Sequence, residues 1–117
     1  MTTGADARAS AQRNFEQAKI NKRGDLAETT TPDQAGAVVD NYEAAMAAYL
    51  QTLIAGFDEA TGDWDALKAD ADAAEEELTE ARERAEGIAE KIEAAAKLTG
   101  AVTTFVNAVK GQTPPAA

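Results

Sequence analysis

The chain has no cysteine and no histidine. Without cysteine there is no disulfide framework and no thiolate nucleophile. Without either residue, ordinary zinc sites, serine–histidine triads and imidazole acid–base catalysis are excluded. The eight glycines are scattered, so no phosphate-binding loop is written into the chain. Long apolar runs are missing too. No stretch approaches the ~18 residues of a membrane-spanning helix, so no membrane insertion is expected. The first residues lack a cationic segment followed by an apolar one. No cleavable secretory signal is therefore read, and a cytoplasmic location is expected, with export through other signals left open.

Positive charge is the next scarcity. Eleven lysines and arginines face 21 aspartates and glutamates, a net charge of −10 and a pI near 4.3. A nucleic-acid binder needs a basic footprint to displace counterions, so no nucleic acid is expected as a partner. Anionic membrane surfaces are disfavoured for the same reason. The imbalance is uneven. Arg8, Arg13, Lys19, Lys22 and Arg23 lie in residues 1–24 against only Asp6 and Glu16. A basic arm on an acidic body suggests attraction between the two, within one chain or between copies.

What the chain has in quantity is alanine, glutamate, aspartate and lysine, with aromatics at 5%. That composition reads as long helices and an all-α fold. Its 117 residues fit a single domain. Ala7, Ala11, Phe15 and Ala18 fall at helical spacing, predicting a short helix over 5–23. Gly24 follows as a stop, and a linker occupies 24–31. Thr31-Pro32-Asp33-Gln34 is a helix start, with Thr31 as cap, Pro32 in the first turn and Gln34 three residues on. From there Val39, Tyr42, Met46, Tyr49 and Leu53 alternate at spacings of three and four, predicting an amphipathic helix over 32–60. Thr61-Gly62-Asp63 is the turn, with Trp64 as the plug closing that end.

The next segment carries the longest register. Trp64, Leu67, Ala71, Ala74, Leu78, Ala81, Ala85, Ile88, Ile92, Ala95, Thr99, Val102, Val106 and Val109 follow one another at alternating steps of three and four. Such a repeat predicts one long helix over 63–109, wound as a coiled-coil seam, with Gly100 the point at which it would kink. A proline-containing tail, 111–117, ends the helical structure at Pro114 and Pro115. The expected architecture is thus a long antiparallel helical hairpin with a shorter N-terminal helix. In the hairpin, large Met46, Tyr49, Leu50 and Ile54 would oppose small Ala71, Ala74 and Ala81.

This register leaves the third helix longer than the second, with an uncovered stripe. The candidate partner-binding residues are Ile92, Leu98, Val102, Phe105, Val106 and Val109, with Phe15 of the first helix as a cover. At roughly 1.5–3 kcal/mol per buried large side chain, leaving that stripe wet would forfeit several kcal/mol. The glutamates from Glu75 to Glu93 read as a solvated face, supported by the Glu80–Arg84 pair. The aspartates around the turn lack the glycine placement of a calcium loop, so no metal site, no cofactor and no catalytic residue is assigned. The expectation is a non-enzymatic interaction or assembly subunit packing through helix–helix contacts. It would bind a protein partner or itself as a homo-oligomer, within a larger machine such as a secretion system or virion. The alternative is an acidic inhibitor mimicking nucleic acid.

Overall fold

The computed structural model describes residues 2–112 as four helices and one two-stranded ribbon. Strand β1 (Thr2–Thr3) leads into α1 (Gly4–Glu28), followed by α2 (Pro32–Gln51), β2 (Thr61–Gly62), α3 (Asp65–Glu83) and α4 (Ile88–Gln112). The all-α reading holds. The helices run alternately up and down. Asp25 near the end of α1 meets Arg82 near the end of α3, and Thr2 reaches Asp65 at the opposite end. The particle measures 48 × 25 × 18 Å.

The expected hairpin of the second helix on one long third helix is corrected. The long helix breaks at Arg84–Gly87, and the remainder folds back as α4. A straight helix from Asp65 to Gln112 would be roughly 70 Å long at about 1.5 Å per residue, longer than the whole particle. Folding back lets α4 pack against α1, α2 and α3, while α2 leans on α1 and α4. The opposition of Met46, Tyr49, Leu50 and Ile54 to the alanines of α3 is replaced by this arrangement. The helix is unbroken at Gly100, which lies inside α4 with open space beside it.

Three other boundaries move. First, α1 continues through Gly24 to Glu28, leaving a linker of only Thr29–Thr31. Interior glycine costs about 1 kcal/mol. Here the last turn is held from outside by Asp25–Arg82 at 2.8 Å and Glu28–Lys91 at 3.2 Å. Second, α2 stops at Gln51, not at 60. The Thr52 hydroxyl donates to the Tyr49 carbonyl at 2.6 Å, and Gly56 turns the chain at φ 80°. The chain then crosses the end of the bundle and drops Phe57, fully buried, into it. Third, α4 reaches Gln112; the rest of the expected tail, with Pro114 and Pro115, lies outside the described residues.

The start of α2 is as expected. Thr31 Oγ1 accepts the Gln34 backbone N–H at 3.1 Å, with Pro32 in the first turn. The Gln34 amide oxygen in turn accepts from the Thr30 backbone N–H at 2.8 Å. The ribbon pairs Thr2 with Gly62 and Thr3 with Thr61, so the N-terminus is clipped onto the chain that follows α2. Gly4 must be glycine there. A Cβ on it would stand 1.5 Å from the Phe57 carbonyl oxygen. Trp64 is buried beside Gly62, closing this end as expected.

Candidate functional site

The predicted binding stripe lies in the middle of the core. Val102, Phe105 and Val109 are fully buried, Val106 and Leu98 nearly so, and Ile92 is half-buried. The expectation of an uncovered stripe is therefore corrected: the chain covers it with its own helices. The cover is supplied differently than expected. Gly4, Ala7, Ser10, Ala11 and Asn14 are the buried residues of α1. Phe15 turns to α2, stacking on Tyr49 and tilting against Tyr42, each at 5.8 Å between ring centres. Lys22 sits 4.5 Å over the Tyr42 ring. Small residues on α1 let the two backbones approach, so α4 fills its own groove.

The basic arm latches onto the same chain's acids. Arg8 meets Asp58 at 2.8 Å, and Arg13 meets Glu75 at 3.0 Å and Asp72 at 3.8 Å. Lys68 pairs with Asp72 and Lys97 with Glu77. The hydrogen bond it donates to Asp72, reinforced by that carboxylate's charge, holds the Lys68 ammonium above the ordinary lysine value. Glu77 does the same for Lys97. Much of the acidic face of α3 is thus already engaged by cations of this chain.

The interior has one polar layer that sequence reading missed. Asn14 Nδ2 donates to Thr99 Oγ1 at 3.1 Å inside the core, tying α1 to α4. About three turns further along α1, Asp25 is clamped by both terminal nitrogens of Arg82, at 2.8 and 2.9 Å. Beside them is a cavity of about 20 Å³ lined from all four helices, including Asn14, Asn41, Leu78, Arg82 and Ile92. Arg82 Nε and Asn41 Oδ1 border it without a protein partner. A volume of that order accommodates about one water and no organic substrate. The sequence signal for this layer was Asn14 lying between Ala11 and Ala18 on an otherwise small apolar line.

At the other end of the molecule the surface is greasy. Leu50, Leu53 and Ile54 are 54%, 48% and 40% exposed. They stand at the end of α2 and on the segment that crosses the bundle. A shallow groove there is lined by Leu53, Ile54, Arg8, Asp58 and Glu59, and Lys110 reaches the adjoining Gln51 at 3.4 Å. Sequence reading placed these aliphatics on the inner face of a longer helix. Gly56, inside that expected helix, was the sign that the helix stops sooner. Ile20, also exposed, stands apart on α1.

Among the described residues no cluster of three or more acids is gathered as a metal cage, and no helix is long and apolar enough to cross a membrane. Comparison with protein-family profiles, with curated proteins and with solved structures finds no match.

Proposed function

We propose that this chain is a non-enzymatic assembly subunit that associates end to end with a second copy of itself through the Leu50–Leu53–Ile54 surface. The observation that carries this reading is the exposure of three large aliphatics side by side, in a chain with few large apolar residues to spare. The rim favours a second copy as the occupant. Lys110 and Glu59 border the patch beside the internal Arg8–Asp58 pair, so two copies related by a two-fold axis can pair Lys110 of one with Glu59 of the other. The rest of the surface is strongly acidic and repels another copy, which makes this charge-balanced end the place of least repulsion. Three aliphatics expose on the order of a few hundred Å², less than a permanent dimer buries per partner, so each contact is weak and suits repeated use.

Nucleic-acid mimicry draws less support, because Asp72, Glu75 and Glu77 are occupied by Arg13, Lys68 and Lys97 of the same chain. Catalysis draws less still, in a chain with neither histidine nor cysteine. Sedimentation velocity across a dilution series tests the reading. The wild-type chain should associate reversibly, more strongly as salt screens its net charge. The double variant Leu53→Asp, Ile54→Asp should sediment as a monomer throughout. A wild-type chain that stays monomeric at about millimolar concentration, or an association the double variant leaves intact, removes the reading.

A further inference from the structure

The turn between α3 and α4 holds the one non-glycine residue in the left-handed region among the described residues. Glu86 N–H donates to the Ala81 carbonyl and Ala85 N–H to the Arg82 carbonyl, both at 3.1 Å. This is the bonding pattern of a helix end that places its next residue in the left-handed conformation, where glycine normally sits. Here the residue is Ala85, at φ 53°, the only non-glycine with positive φ among the described residues. A side chain in that region is disfavoured relative to the right-handed helix.

The residues around the turn prefer to continue the helix. Glu80-Ala81-Arg82-Glu83-Arg84-Ala85-Glu86 are all strong helix formers. Glu80 and Arg84 already make an i,i+4 pair. The apolar register passes through Ala81, Ala85 and Ile88 without a slip. The first local opposition is Gly87. Local preference therefore favours a straight α3–α4 rod, and the fold-back is enforced by what α4 buries at a distance.

Those distant contacts do not require that α4 belong to the same chain. The buried stripe of Leu98, Val102, Phe105, Val106 and Val109, the Asn14–Thr99 bond and the Glu28–Lys91 and Glu77–Lys97 pairs join α4 to the other three helices. The α4 of a second copy makes every one of them equally well. We propose that two copies of this chain exchange α4. Residues 84–87 straighten, each α3–α4 pair becomes one continuous helix, and each bundle is α1, α2 and α3 of one copy completed by α4 of the other. The exchange keeps the closed chain's core, removes two left-handed alanines and adds helical hydrogen bonds across two hinges. It is opposed by the high effective concentration of the tethered α4, so it is populated at high protein concentration. It is slow, because α4 must leave the core to exchange. Strained short hinges are the recognised setting for such swaps.

This dimer uses surfaces distinct from the Leu50–Ile54 end and does not rest on that contact. The test refolds the full chain from denaturant at protein concentrations from micromolar to millimolar, followed by size-exclusion chromatography with light scattering. The background is Leu53→Asp, Ile54→Asp, so that end-to-end association is silent. A dimer that grows with refolding concentration and persists on dilution is expected. Ala85→Gly should weaken it by about 25-fold, about fivefold from each hinge. Gly87→Ala should strengthen it by a similar factor, since a methyl there meets only the movable Glu90 carboxylate. Carbodiimide joining of Glu77 to Lys97 in dimers refolded from mixed light and heavy chains should give mixed-isotope peptide pairs. A Gly87→Ala chain that remains monomeric after refolding at millimolar concentration overturns the proposal. So does a dimer whose Glu77–Lys97 links all lie within one chain, or one indifferent to Ala85→Gly.

Discussion

The two helical hairpins of this bundle close in opposite ways. Between α1 and α2 the turn is written locally: Thr29 ends one helix by donating to Leu26, and Thr31 with Pro32 begins the next. Between α3 and α4 the local residues argue for continuing, and Ala85 takes a left-handed conformation to permit the reversal. The first turn is a property of its own few residues. The second exists because α4, once folded back, buries Phe105 and four neighbours among three other helices. Local preference and distant burial agree at one end of the molecule and conflict at the other, and burial wins where they conflict.

The largest effect follows from that conflict. Phe105→Ala should destabilise the protein by about 3–5 kcal/mol in urea unfolding, because a cavity is left in a core that cannot collapse. Helical content should survive better than compactness, since the α3–α4 segment retains its local preference. A loss below about 1 kcal/mol would mean that something other than burial folds α4 back. Next is Arg82→Ala, which leaves Asp25 half-enclosed and unpaired and should cost about 2–3 kcal/mol. Its second readout is local: amide exchange after Gly24 should accelerate as the last turn of α1 frays.

The turns themselves should then respond with opposite signs. Thr31→Ala removes a cap and should cost about 1 kcal/mol. Ala85→Gly relieves the left-handed alanine and should stabilise the monomer by about 0.5–1 kcal/mol, after allowing for the greater freedom of glycine in the unfolded chain. Equal losses at both positions would erase the distinction between them. The smallest effect is electrical. Glu77 raises the Lys97 pKa across the α3–α4 hairpin. A raised lysine pKa contributes stability that is present below the ordinary lysine value and is lost as pH climbs through the raised one. Glu77→Gln should return Lys97 toward the ordinary value in an NMR titration, with little change in stability because the pair is exposed.

The sequence by itself determined the helical class, the start of α2 at Thr31-Pro32, the plugging role of Trp64 and the apolar line that becomes the core. Each of these depends on neighbours a few residues apart, where spacing and capping chemistry act directly. Even the width of the α4 stripe was visible: Leu98 and Phe105 lie off the strict heptad line, too broad a face for a two-helix seam and suited to a helix covered on three sides. Tertiary structure alone decided that Gly24 is passed over, that α2 stops before Leu53 and Ile54, that Asp25 finds Arg82, and that the long rod breaks at Ala85. The physical reason is common to all four. Each local preference is worth about 1 kcal/mol, whereas burying a set of large side chains is worth several times that. Only the folded chain brings those side chains together.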